Sequence, residues 1–168
     1  MKNIVLIGMP GCGKSTCGVL AAKALCMDFW DTDLILQKNE KMPLQEIINK
    51  KGNDYFSEAE ERTVCAFSFQ NAVVATGGSV VYSEKAMEHL KENAMVIYLK
   101  IGFETMERRI SNMESRGILL RAGETLEEMF CERQSLYERY ADRTIDCDQL
   151  EIEQTVSELV KLYFGGAL

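Results

Sequence analysis

Five short runs along the chain carry the apolar signature of strands: Asn3–Ile7, Phe29–Thr32, Ala72–Thr76, Met95–Lys100 and Arg143–Cys147. Most are continuously apolar and do not alternate with polar positions, the pattern of strands covered on both faces. Between them the spacing predicts helices over Lys14–Cys26, Asp54–Phe69, Ser83–Glu92, Phe103–Met113 and Thr125–Tyr140. A closing helix over Glu151–Phe164 puts Ile152, Val156, Leu159, Val160 and Tyr163 on one face. Strands alternating with helices predict an α/β fold, a doubly wound parallel sheet with helices on both sides. Two stretches read as irregular, Asn39–Gly52 and Asn112–Glu124. The second holds Arg116, Gly117, Arg121 and Gly123 between helices, which suits a mobile lid closing over a charged ligand; an ordinary surface loop is the alternative.

Composition narrows the functional classes. The chain has 168 residues, so a single domain over 1–168 is expected, with room for a sizeable core. A net charge of −7 argues against nucleic acid as partner, although local basic groups can still hold a small anionic ligand. The six cysteines, at 12, 17, 26, 65, 131 and 147, include no Cys-x-x-Cys, and there is one histidine, so metal ligation by cysteine and histidine has little support. They read as small apolar residues of a reducing compartment. The first strand begins at Asn3 and no apolar stretch approaches the roughly 20 residues of a membrane span, so a cytoplasmic protein, expected as a monomer, is the reading.

The strongest chemical signal is Gly8-Met-Pro-Gly-Cys-Gly-Lys-Ser15, a match to G-x-x-x-x-G-K-[ST] set between a buried strand and a helix. Glycines at 8, 11 and 13 let backbone N–H groups wrap phosphates, and the helix starting near Lys14 adds the positive end of its dipole. Gly11, Cys12, Gly13, Lys14, Ser15 and Thr16 are therefore the expected contacts to ATP, with Lys14 on the β- and γ-phosphates and Ser15 on Mg²⁺. Markers of GTPases are missing: no Asp-x-x-Gly follows, and Asn49-Lys-Lys-Gly52 lacks the aspartate of a base-reading loop.

Two further features point to phosphoryl transfer onto a small hydroxylated acceptor. Asp31-Thr-Asp33 ends the second strand, and in extended chain an i, i+2 pair faces one side, so one carboxylate can stand beside Mg²⁺ while the other orients the acceptor hydroxyl and takes its proton. The alternative is a pair of helix-capping aspartates before Leu34. Gly77-Gly78 follows the third strand and leaves room for a substrate, unless it is a plain tight turn.

In this order the motifs resemble those of the shikimate kinase family. The resemblance runs from residue 3 to about 147. It rests on Gly8–Thr16 with Gly18, on Asp31-Thr-Asp33, on Gly52-x-x-x-Phe56-x-x-x-Glu60 and on Thr76-Gly-Gly78. Arg108-Arg109, Arg116-Gly-Ile-Leu119 and Arg133-x-x-Leu136-Tyr137 before Ala141-Asp142 extend it. The resemblance implies a three-layer P-loop kinase fold with strand order 2-3-1-4-5 and a mobile lid over about 112–124. It implies an acceptor region over about 33–62 and phosphorylation of the shikimate 3-hydroxyl, a step of aromatic amino acid biosynthesis. Carried over, Asp33 is base and acceptor ligand, Asp31 sits beside Mg²⁺, Gly78 lines the acceptor site and Arg133 pairs with the acceptor carboxylate. Arg109 packs on adenine, and Arg116 reaches the transferring phosphate.

The sequence departs from the family on the acceptor side. The arginine that follows the Phe of Gly-x-x-x-Phe-Arg, half of the carboxylate clamp, is Ser57 here, and serine cannot replace a bidentate guanidinium. Arg62, five positions on, stands roughly 140° round the helix and is poorly placed to substitute. The third glycine of Gly-Gly-Gly is Ser79, the lid proline is Gly117, and the lid-to-Arg133 spacing is a little short. Three readings follow: a shikimate kinase, a related kinase for another hydroxylated metabolite, and a nucleotide-binding regulator without transfer activity. Of the remaining residues, His89 falls on a polar helix away from the motifs, and Cys12 reads as a filler or a redox-sensitive thiol. Trp30 walls the acceptor site or belongs to the core, and Glu58–Glu61 reads as a solvated helix face, with Glu60 at a family position near the acceptor.

Overall fold

A computed structural model of the chain describes residues 3–111 and 118–165. Five strands form one parallel sheet: β1 (Asn3–Ile7), β2 (Asp28–Asp31), β3 (Ala72–Ala75), β4 (Ala94–Lys100) and β5 (Arg143–Asp146). Their order is β2-β3-β1-β4-β5, as the resemblance implies. The apolar runs explain the centre of this order. β1 and β3 are buried at every position, and register pairs such as Val5 with Val74 and Val5 with Val96 stack aliphatic side chains across the sheet. The edge strands β2 and β5 are the polar ones, exposed at alternate or most positions.

The helices are α1 (Lys14–Leu25), α2 (Thr32–Glu40), α3 (Leu44–Cys65), α4 (Glu84–Lys91), α5 (Phe103–Ser111), α6 (Leu126–Tyr140) and α7 (Ile152–Tyr163). α1 packs on α7, and α3 packs on α4, so that both faces of the central strands are covered. α6 starts in a reciprocal cap in which Thr125 and Glu128 satisfy each other's backbone N–H groups. Among the described residues no helix is long and apolar enough to cross a membrane.

The fold corrects the sequence reading in one region. Asn39–Gly52 is not irregular: α2 begins at Thr32, and α3 starts at Leu44, ten residues before the helix expected from Asp54. α2 buries only Thr32 and Leu36, too few positions for a periodic apolar signal, and its start is set by the Asp31 side chain, which accepts from the Asp33 and Leu34 N–H groups. In α3 the break falls at Gly52, whose φ of 84° and ψ of 171° no other residue adopts cheaply, and helical backbone resumes beyond it. Together α2 and α3 enclose a small separate core of Leu36, Ile47, Phe56 and Ala59, closed by Leu119. Arg116, Gly117 and the rest of 112–117 lie outside the described residues. Cys12, Cys17 and Cys147 are buried, as small apolar residues should be, whereas Cys26 and Cys131 are exposed.

One buried polar residue holds the foot of the sheet. Asn3 is 5% exposed; its Nδ2 donates to the Asn93 carbonyl at 3.0 Å and the Phe69 carbonyl at 3.4 Å, and its Oδ1 accepts from the Ala72 N–H at 3.0 Å. Replacing it by alanine strands a buried N–H and leaves two carbonyls short of a donor. Asn3→Ala is expected to lower the unfolding free energy by about 2 kcal/mol in urea denaturation, with kinetic constants unchanged.

Candidate active site

The carboxyl ends of β1, β2 and β3 open onto one cleft of about 340 Å³. Its first wall is the loop between β1 and α1, through Pro10, Gly11, Gly13, Lys14, Ser15 and Thr16. Gly13 supplies the left-handed backbone (φ 97°) that starts α1, and no side chain caps that helix, so its first amides are aimed at the cleft. The Lys14 ammonium is buried and donates to the carbonyls of Gly8 at 2.7 Å and Met9 at 2.9 Å. Of the expected contacts in the loop, Cys12 alone does not line the cleft: its thiol is buried and its N–H donates to the Met9 carbonyl at 3.2 Å. Arg109, on α5, lies against Gly11 and donates to its carbonyl at 3.1 Å.

The opposite wall comes from β2 and α2. Asp31 is engaged on both oxygens: Oδ2 accepts from the Ser15 hydroxyl at 2.6 Å, and Oδ1 caps α2. Asp33 therefore sits in the first helical turn and not in extended chain, which corrects the i, i+2 strand argument; both aspartates line the cleft all the same. The capping alternative holds for Asp31 together with the Ser15 contact.

The floor follows β3. Thr76 is tied to the Leu6 carbonyl through both its hydroxyl (2.9 Å) and its N–H (3.2 Å). The Gly77 N–H donates to Thr32 Oγ1 at 3.2 Å, and the Gly78 carbonyl accepts from the Tyr137 hydroxyl at 2.6 Å. A side chain at either glycine would crowd the groups behind the floor. A methyl on Gly77 would overlap Glu60 Oε1 and stand 2.7 Å from Asp33 Oδ1, while one on Gly78 would meet Arg133 Nη1 at 3.2 Å. The family-derived trio of Asp33, Gly78 and Arg133 is thus brought together.

Arg133 is 1% exposed. Its Nη2 donates to the Leu119 carbonyl at 2.6 Å and its Nε to the Tyr82 hydroxyl at 3.3 Å, and the guanidinium lies 5.2 Å from the Tyr82 ring centre. Among the described residues no carboxylate is within ion-pair distance of it. Arg121, paired with Glu132, packs over the same Tyr82 ring at 5.1 Å. Ser57 is exposed and does not line the cleft, and Arg62 faces Glu40 and Tyr55 as its helical position requires. Trp30 is 42% exposed against Phe67, and His89 contacts the Phe67 carbonyl at the amino end of the sheet; neither belongs to the site.

Glu60 is the residue that the sequence reading understated. The Glu58–Glu61 run is a solvated face only in part: Glu58 is exposed, Glu61 bonds Ser83, and Glu60 is 5% exposed behind the floor of the cleft. Its Oε2 accepts from Ser79 at 2.7 Å, and its Oε1 has no hydrogen-bond partner among the described residues. Burial pushes its carboxyl up to about 7, the Asp33 charge adds to the rise, and Ser79, Arg133 and Lys14 oppose it.

This fold and this cleft define a P-loop phosphotransferase of the small-molecule kinase type, with a backbone cradle on one side and the buried Arg133 and Glu60 side chains behind the floor. A family model described as shikimate kinase matches residues 10–163. The shikimate kinase of Caldanaerobacter subterraneus subsp. tengcongensis is 37% identical over 166 residues, covering 97% of this chain and 96% of that protein. That of Sulfurihydrogenibium sp. is 35% identical, covering 95% and 96%. Among solved structures, shikimate kinase from Acinetobacter baumannii in complex with shikimate superposes with a TM-score of 0.90 at 26% identity, covering 100% and 96%. The Aquifex aeolicus enzyme does so at 0.83 and 31%, covering 99% and 98%. The chain belongs to the shikimate kinase family.

The raised Glu60 carboxyl has a measurable effect on stability. Folding favours its protonated form, so this contribution is fully present below the ordinary value of 4.5 and is lost as pH rises through about 7. Glu60→Gln cannot ionise. It is expected to match the parent near pH 4 and to be more stable by about 3 kcal/mol near pH 8, read by urea denaturation at both pH values.

Proposed function

We propose that this protein transfers the γ-phosphoryl group of ATP to a hydroxyl of shikimate. The observation that carries the acceptor assignment is Arg133, a guanidinium buried to 1% exposure beside Gly78 with no carboxylate paired to it among the described residues. A buried cation without an anion is costly, and a carboxylated acceptor supplies the missing partner. The names of the relatives and of the superposed structures give shikimate as that acceptor.

In this reading the amides of Gly11–Thr16 hold the β- and γ-phosphates, and Lys14 turns from the loop carbonyls to the phosphate oxygens. Arg109 packs on the adenine over Gly11. Asp33 accepts the proton of the acceptor hydroxyl as its oxygen bonds to the γ-phosphorus and the bond to the β-phosphate oxygen breaks, releasing ADP. Arg116 neutralises charge on the transferring group. The Ser15 hydroxyl and the Asp31 carboxylate, which meet at 2.6 Å beside the phosphate loop, would hold Mg²⁺. When bound there it supplies charge neutralisation at the phosphates.

With shikimate, ATP and magnesium in a coupled ADP-release assay, Asp33→Asn is expected to lower kcat by roughly 10²–10⁴. Ser57→Arg is expected to lower the shikimate KM severalfold, because it restores the second guanidinium of the carboxylate clamp that the resemblance implies. No ADP release at millimolar shikimate would sink the assignment.

A further inference from the structure

The two departures on the acceptor side meet at one residue. Ser57 and Glu60 stand three positions apart on α3, neighbours on one side of the helix, and Ser57 gives Glu60 no charge to pair with. Among the described residues no cation lies within ion-pair distance of Glu60. What it has instead is the Ser79 hydroxyl on Oε2, while Oε1, buried and without a hydrogen-bond partner, converges with Asp33 Oδ1 on Gly77. The charged groups that act on it from the surrounding elements are Asp33 on α2, Arg133 on α6 and Lys14 on α1.

An acceptor carboxylate seated on Arg133 would be the third anion in this space, beside Asp33 and Glu60. Of the three, Asp33 must stay charged to take the hydroxyl proton, and the acceptor's own carboxylate is held charged by the guanidinium. Glu60 is the group left to be neutral. We propose that Glu60, anchored by the Ser79 hydroxyl, is a positioning residue of the acceptor pocket that carries its proton when a carboxylated acceptor sits beside Arg133, so that acceptor binding takes up a proton near neutral pH. The position of its carboxyl, pushed up to about 7 by burial, sets where this shows.

The inference rests on the acceptor assignment above, and two measurements separate their failures. In the first, shikimate and ATP KM values are measured in the same assays from about pH 6 to pH 9. The shikimate KM is expected to rise roughly tenfold above pH 7 while the ATP KM stays level, and Glu60→Gln is expected to flatten that rise. In the second, calorimetry of shikimate binding in two buffers of different ionisation enthalpy is expected to report proton uptake in the parent and none in Glu60→Gln. Should Glu60→Gln not fold, Ser79→Ala removes the donor that favours the charged form, and the rise in KM moves to higher pH. Shikimate turnover with a level KM and no proton uptake, or an unmoved rise in Ser79→Ala, would overturn this inference alone. Absence of both binding and turnover would overturn the acceptor assignment and this inference with it.

Discussion

The hydrogen bond from Ser15 to Asp31 is the constraint on which the cleft depends. Ser15 belongs to the first turn of α1 and Asp31 to the end of β2, so this contact of 2.6 Å ties the phosphate loop to the neighbouring wall. The same carboxylate uses its other oxygen to start α2, and that cap fixes the turn in which Asp33 stands. One side chain therefore sets the distance between the phosphate loop and Asp33. Its charge is offset by helix amides on one oxygen and a hydroxyl on the other, so it needs no lysine or arginine.

The parts of this arrangement that could be read from the chain are those made by backbone. Continuous apolar runs mark strands covered on both faces, and β1, β3 and β4 lie within a residue of where those runs predict them. The glycine pattern of residues 8–15 likewise encodes a backbone shape, which needs particular residue types at particular positions whatever packs around them. α2 was missed because a helix with two buried positions has no apolar period to detect. The early start of α3 was missed because Gly52 and the polar stretch before it look like a loop, although Ile47 is fully buried in the small core that α2 and α3 share.

The acceptor half was legible only by resemblance, and the reason is physical. Its working groups are polar side chains whose character comes from burial, and burial is a property of the assembled fold. Arg133 lies within a helix as polar as its neighbours, yet is almost sealed from water by Leu119, Tyr82 and Gly78. Glu60 sits in a run of glutamates that reads as a solvated face. Apart from its family position, the sign was its place between Phe56 and Thr63 on the buried side of α3, and a polar residue on such a side is easily taken for a boundary.

The substitutions at 57 and 79, separate in sequence, are joined by this burial. A serine at 57 leaves Glu60 without a neighbouring cation, which in a sealed pocket raises the cost of its charge. A serine at 79 supplies a neutral donor to the same carboxylate and satisfies one oxygen without adding charge. A glycine there would leave both oxygens of a buried group unbonded, at a cost of a few kcal/mol. The two serines thus make a consistent local solution: the carboxyl is kept, its cation is lost, and a hydroxyl holds it in place. Their effect is confined to the acceptor side, because the nucleotide side is built from amides and a lysine that neither serine touches. Within the proposed function, a site altered in this way keeps its phosphate loop and shifts the balance of charge around Glu60 and Arg133.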